Sequence, residues 1–302
     1  MRQRGIEKTA TKGKRRGAID IGSNSVRLLI GQVEEGYLTV NRQELRTTRL
    51  GKTPKGEPLD REAVAKTLSA LEEFRRILQE MNIVEPPVVA ATSAVREAAD
   101  GDAFARLLTE RLGWRLRILT GADEARYSYV GAAAVVGENA AVLDVGGGST
   151  ELIVRKKTGI CCRSVPVGAV RLHLGEIQRR QLPLLLRPLA ESAGEQLETP
   201  FVGVGGTITS LAAMKNHLVE YRREWINGTV LTQTELRAYG QEADTLAPQE
   251  LLARYPLLQK RGDILGDGIA IYLALMELLG FSRIVVSDAG ILDGLLLEAA
   301  KE

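Results

Sequence analysis

The chain has 302 residues, 44% of them hydrophobic and 4% aromatic, with a net charge of +2. That length suits two ordinary domains, and the scarcity of aromatic rings argues against nucleic-acid recognition by base stacking. No apolar run reaches the roughly 20 residues of a membrane span and no apolar signal core follows the first residues, so a cytoplasmic protein is expected.

In chain order, residues 1–16 come first. They carry seven cationic side chains against Glu7, with no apolar periodicity. We expect a disordered basic arm there. Ala18-Ile19-Asp20-Ile21-Gly22-Ser23-Asn24-Ser25-Val26-Arg27-Leu28 follows, an apolar strand that runs into Asp20, turns through small residues and resumes as a second apolar strand. A third strand is expected over Tyr37 to Leu45, then a Gly- and Pro-punctuated loop to Pro58. Asp60 caps a helix striped by Val64, Leu68, Leu71, Phe74, Leu78 and Met81. A short buried strand at Val88 to Ala91, a helix over Asp102 to Leu112, a strand at Leu116 to Leu119 and a helix opening at Gly121 complete the first half.

The second half repeats that order. Val142-Leu143-Asp144-Val145-Gly146-Gly147-Gly148-Ser149-Thr150-Glu151-Leu152 matches the first hairpin in register. A third strand (Gly159 to Val165), helices between Gly168 and Ala193, a strand at Phe201 to Val204, a helix over Ile264 to Leu279, a strand at Ile284 to Val286 and a last helix from Gly290 follow. Three strands, then alternating helix and strand, twice over, is the order of two ribonuclease-H-like α/β halves facing across a cleft. We place them at residues 17–137 and 138–302, joined by a hinge, with the last helix a candidate to return onto the first half.

The duplicated hairpin is the strongest chemical signal. Glycine and serine leave backbone N–H groups open to phosphate oxygens, and the Asp of each copy can hold a metal ion or orient water. The copies differ where Arg27 of the first stands opposite Glu151 of the second, a guanidinium against a carboxylate. Glu124, in the first turn of a helix at the carboxyl end of a strand, can complement the helix terminus or act as a general base. Arg96, after the Thr92-Ser93 turn, can fork onto phosphate or pair with Glu97 or Asp100. Gly203 to Thr207, with Gly205 and Gly206, forms a second backbone nest. Arg261 and Asp263 stand at the cleft rim or at a helix entry. His173 and His217 have no metal-ligand spacing, and the adjacent Cys161 and Cys162 read as buried strand thiols.

The segments Asp20 to Ser25, Ala91 to Glu97, Gly121 to Arg126 and Asp144 to Glu151, in that order, resemble the exopolyphosphatase and guanosine pentaphosphate phosphatase family (Ppx/GppA). This is the phosphatase branch of the actin, Hsp70 and sugar-kinase architecture. The resemblance implies Mg²⁺-dependent hydrolysis of a terminal phosphoanhydride, from inorganic polyphosphate or alternatively from guanosine pentaphosphate. A binding-only sensor of such ligands is a further alternative.

By position it implies Glu124 as general base, Glu151 as a second catalytic acid on water or metal, and Asp144 with Asp20 as metal-binding acids. Gly146, Gly147, Gly148 and Ser149 match the phosphate cradle, while Ser23, Asn24, Ser25, Arg27 and Arg96 match contacts from the facing half. Arg261 matches an Arg linked to the ligand. One departure stands out: Leu292 and Asp293 replace an Arg and a Glu of the family pattern. The C-terminal HD-type domain of long members is also missing. A homodimer is compatible with the resemblance.

Overall fold

The computed structural model describes residues 14–137, 139–156, 159–193, 200–258 and 262–301. Arg261 and residues 1–13 of the basic arm lie outside the described residues. The arm expected to run unstructured to residue 16 gives way earlier, because β1 (Arg15–Ile21) begins at Arg15. Arg15 and Arg16 pair with Gln32 and Gly31 of the next strand, and Lys14 and Arg16 reach Glu85.

The other strands of the first half are β2 (Ser25–Glu34), β3 (Tyr37–Thr47), β4 (Val88–Ala91) and β5 (Leu116–Ile118), and its helices are α1 (Arg61–Glu80), α2 (Ser93–Glu97), α3 (Gly101–Leu112) and α4 (Gly121–Val136). The second half contains β6 (Ala141–Val145), β7 (Thr150–Lys156), β8 (Gly159–Val165), β9 (Phe201–Val204), β10 (Val230–Thr232) and β11 (Arg283–Val286). Its helices are α5 (Ala169–His173), α6 (Leu182–Leu185), α7 (Arg187–Ala193), α8 (Gly206–Lys215), α9 (Arg223–Ile226), α10 (Gln233–Thr245), α11 (Pro248–Arg254), α12 (Gly262–Leu279) and α13 (Ile291–Ala299).

Two sheets result, ordered β3-β2-β1-β4-β5 and β10-β11-β9-β6-β7-β8. In each, an antiparallel meander of three strands continues through parallel neighbours, β1 to β4 to β5 and β6 to β9 to β11. The repeat seen in the sequence is therefore a repeat of sheet topology, and the fold is the two-lobed α/β architecture expected. The added edge strand β10 and helices α9 to α11 had no sequence expectation. β10, α9 and α11 are too brief for their apolar spacing to set a period, and the 13-residue α10 is largely polar, with Leu236 its buried residue.

Central strands of this kind are covered on both faces, so β1 and β6 read as near-continuous apolar runs. One face of the first sheet packs on α1 and α3 through Leu71, Phe74, Leu78, Phe104 and Leu108. Its other face carries Ala18, Leu29 and Ala90, and these are covered by Ile291, Leu292, Leu295 and Leu296 of α13. Each such buried aliphatic side chain contributes about 1.5–3 kcal/mol. Reciprocally, α4 from the first half lays Ala125, Tyr129 and Ala132 on Val142, Ile153, Val202 and Val204 of the second sheet.

The two exchanged helices cross at glycines. A β-carbon on Gly294 would fall onto the carbonyl group of Tyr127, and one on Gly131 would fall onto that of Gly290. Only bare backbone lets α4 and α13 approach so closely.

Candidate active site

Both hairpin turns point into one small cavity of about 70 Å³ between the lobes. Its wall includes Asp20, Ser23, Asn24, Ser25 and Arg27 from the first hairpin, Asp144, Gly146, Gly147 and Ser149 from the second, and Glu124, Gly205 and Gly206. Thr92, Ser93, Ala169, Thr207, Ile264 and Ile291 close it. Most sequence candidates therefore converge on one place.

The hairpins form as the pattern dictates. The Gly22 amide donates to Ser25 O at 3.0 Å and the Gly146 amide to Ser149 O at 2.9 Å, tightening equivalent turns. The glycines of the second turn have a use that the sequence did not reveal. A β-carbon on Gly148 would collide with Ser93 Oγ, and one on Gly147 would sit 3.0 Å from Ser23 Cβ. They allow the two turns to abut, and Gly148 itself faces the neighbouring recess beside Arg171.

Within the first hairpin Asp20 and Arg27 lie directly opposite across β1 and β2. Arg27 donates to Asp20 Oδ2 through Nη2 at 2.6 Å and Nε at 3.1 Å. Burial works against the Arg27 cation, but Asp20 beside it prevails and the guanidinium is held firmly charged. Asp20 Oδ1 is buried with no hydrogen-bond partner among the described residues.

In the second hairpin Asp144 lies opposite Glu151. Asp144 Oδ2 accepts from Ser128 Oγ at 2.6 Å, and Oδ1 faces the space above Gly205, where a β-carbon would stand 3.0 Å from it. Gly205 has φ of +94°, a second reason for glycine there. Burial raises the Asp144 carboxyl above its ordinary range, against the Ser128 hydrogen bond and Arg27.

Glu124 enters on the first turn of α4, which Thr120 caps by accepting from the Asp123 amide. Burial raises its carboxyl to about 8, with Arg96 opposing and Asp144 adding to the rise. Arg96 donates to Glu124 Oε2 at 3.1 Å and to Leu119 O at 2.8 Å. Its partner is thus neither Glu97 nor Asp100, and its side chain does not line the cavity. Glu97 belongs instead to Arg171, which spans the lobes and also donates to Gly148 O at 2.7 Å.

Glu151 is fully buried and is not part of the cavity wall, although it was expected to touch water or metal. Its Oε1 accepts from Ser164 Oγ at 2.6 Å and its Oε2 has no partner among the described residues. Burial, then the charges of Glu124 and Asp144, push its carboxyl well above the usual range, which favours the protonated form.

Asp20, Asp144 and Glu151 are the acids expected to hold a metal ion. Among the described residues, no set of three or more His, Cys, Asp or Glu side chains is grouped to hold an ion. A Mg²⁺ ion does not ask for one: it keeps several waters and takes one or two carboxylates plus substrate phosphates. Asp20, with its unpartnered Oδ1, and Asp144, with Oδ1 beside the glycine space, fit that need.

The sequence pattern of the Ppx/GppA phosphatase family matches residues 29–302. The chain belongs to the Ppx/GppA phosphatase family. Among its relatives, exopolyphosphatase 2 of Mycobacterium tuberculosis is 31% identical, over 94% of this chain and 98% of its own length. A solved Ppx/GppA family member from Aquifex aeolicus is 28% identical with a TM-score of 0.76, covering 95% of this chain and 97% of that one. An exopolyphosphatase structure from Cytophaga hutchinsonii is 25% identical with a TM-score of 0.84, covering 95% and 98%.

Leu292 and Asp293, where the sequence was expected to depart from the Ppx/GppA pattern, both have structural roles. Leu292 is core, packed on the first sheet. Asp293 caps α13 by accepting from the Gly290 amide at 3.1 Å, and it pairs with Arg223 Nη2 at 2.5 Å. Sequence reasoning missed Arg223, Arg171, Ser128 and Ser164. All four act through non-local contacts and carry no local motif. Among the described residues no helix is long and apolar enough to cross a membrane.

Proposed function

We propose that this chain is an exopolyphosphatase that hydrolyses the terminal phosphoanhydride of inorganic polyphosphate and releases phosphate. The observation that carries the reading is the convergence of two Asp-Gly hairpins, Arg27 and Glu124 on one cavity between the lobes. Phosphoryl transfer asks chiefly for in-line positioning and neutralisation of charge, and this wall supplies both.

The backbone amides of the two turns and the Arg27 guanidinium grip the terminal phosphoryl group. A water molecule beside Glu124 gives its proton to that carboxylate as its oxygen bonds to phosphorus, while the bridging P–O bond breaks and its electrons leave with the shortened chain. Arg96 orients Glu124 and favours its ionised form. Asp20 and Asp144 would hold a divalent cation, for which Mg²⁺ is the proposed identity, and the ion supplies neutralisation of the phosphate oxygens when bound. Glu151 lies buried beside Glu124 and Asp144, and burial together with their charges raises its carboxyl, which favours its protonated form and eases the crowding of negative charge at the pocket.

A second reading, a guanosine pentaphosphate 5′-phosphatase, has one observation in its favour. A cavity of about 1210 Å³ adjoins the phosphate site, shares Arg27 and Gly206 with it, and is lined by Tyr37, Tyr221 and Arg222. That is room for the organic part of a nucleotide.

Phosphate release from polyphosphates of several lengths, alone and in competition with the nucleotide, tests both readings. Release from polyphosphate that needs a divalent cation and disappears in Glu124→Gln is expected. Absence of release from any polyphosphate would overturn the first reading, and failure of the nucleotide to compete would overturn the second.

A further inference from the structure

The two hairpins correspond residue for residue, yet they hold their aspartates differently. Asp20 is fixed from the facing strand, where Arg27 stands opposite and donates twice to Oδ2. At the corresponding place opposite Asp144 stands Glu151, which cannot act as Arg27 does. A carboxylate there repels Asp144, and a carboxyl group offers one proton at most, against the two-pronged fork of a guanidinium.

The missing donor comes from another element. Ser128 of α4, with no solvent exposure, donates to Asp144 Oδ2 at 2.6 Å. Ser128 lies one turn after Glu124, on the same face of the helix. A buried helical serine ordinarily returns its hydroxyl to the carbonyl four residues back. Here it crosses to the second sheet instead. The far oxygen, Oδ1, is left over the space that Gly205 opens.

We propose that Ser128 is a positioning residue for the active site: its hydroxyl fixes Asp144 in the rotamer that turns Oδ1 to the cavity, the service Arg27 performs for Asp20. The inference rests on the reading of Asp144 as a cation-holding residue. It follows that α4 carries both the base and the clamp on the metal-side acid. Any shift of that helix moves the two together, so their spacing is set by one rigid turn rather than by the relative placement of two lobes. Loss of a hydrogen-bond partner behind a metal ligand costs about 10–100-fold in metal affinity.

The test uses the full chain with Ser128→Ala, Ser128→Cys and Asp144→Asn. Alanine removes the donor and leaves space, whereas the slightly larger cysteine fills the site but donates weakly, so the two lose the clamp with opposite effects on packing. Mn²⁺ binding to the substrate-free protein is measured by titration calorimetry, alongside the Mg²⁺ dependence of phosphate release and the KM for polyphosphate at saturating Mg²⁺. Both serine variants should bind Mn²⁺ about 10–100-fold more weakly and need correspondingly more Mg²⁺, with KM for polyphosphate changed less than about threefold. Wild-type Mn²⁺ affinity in either folded serine variant, with loss in Asp144→Asn, would overturn the role of Ser128 and leave that of Asp144 standing. Wild-type affinity in all three would overturn both.

Discussion

Gly294→Ala probes the crossing of α13 over α4. A β-carbon at this position would fall onto the Tyr127 carbonyl oxygen, with the carbonyl carbon at 2.7 Å and the Tyr127 Cα at 2.9 Å. Non-bonded carbons settle at about 3.5–4.0 Å, so the helices must part by about 1 Å. The obstacle is backbone, and no rotamer change relieves it. Overpacking of this kind costs up to about 3 kcal/mol, and replacing a helical glycine with alanine returns about 1 kcal/mol, for a net loss of about 2 kcal/mol. For a chain of this size that lowers the melting temperature by about 3 °C. The larger effect should be on turnover. Tyr127 is flanked by Ser128 and lies one turn from Glu124, and a 1 Å displacement of catalytic groups can cost about 100-fold. Calorimetry and phosphate release from polyphosphate, measured on the same preparation, read the two effects. A variant that melts with the wild type and turns over at its rate would refute the close crossing and its coupling to the site.

Glu124→Gln should lower kcat about 10²–10⁴-fold, as expected for loss of a general base. It should also stabilise the substrate-free protein at alkaline pH. The folded-state carboxyl titrates at about 8 against an ordinary 4.5, so the folded state binds more protons between those values and wild-type stability falls as pH rises through them. Melting curves from pH 5 to 9 check this: the wild type should lose ground to the variant as pH increases. Arg96→Met removes a cation that favours ionised Glu124, so the rising limb of the pH–rate profile should move to higher pH; a limb that stays in place would sink the assignment. Glu151→Gln mimics a protonated carboxyl and should keep kcat within about tenfold of wild type, unlike Glu124→Gln. Arg27→Met removes a charged hydrogen-bond donor worth about 1.5–3 kcal/mol, and kcat/KM for polyphosphate should fall about 10–100-fold.

Much of this was legible in the sequence because it was written locally. The repeated strand-turn-strand pattern fixed both sheets' central hairpins, since burial on both faces demands an apolar run and the turn demands glycine. The placement of Glu124 followed from a capped helix opening after a strand. What stayed hidden depends on partners far along the chain. Arg96 sits beside Glu97 in sequence but pairs with Glu124, a helix and a strand later. Period-two alternation put Glu151 on the face of Ser149, yet it could not say that Ser149 reaches the cavity wall while Glu151 lies buried beyond it. Ser128 carries no local signal in the sequence of α4. Its importance arises only because the opposite hairpin position is an acid.

The exchange of α4 and α13 between the sheets also bears on how the protein is made. During synthesis the first sheet can pair its strands and gather α1 and α3 on one face, while Ala18, Leu29 and Ala90 on the other face wait for a helix at the far end of the described chain. Domains ordinarily fold as units as they emerge. Here the first lobe is left with a bare apolar surface for most of translation, and α4 likewise has nothing to lie on until β6 and β9 exist. A nascent chain arrested before α13 should therefore be a substrate for chaperones, and its release from them should coincide with the closing of the helix pair that also sets the catalytic groups in place.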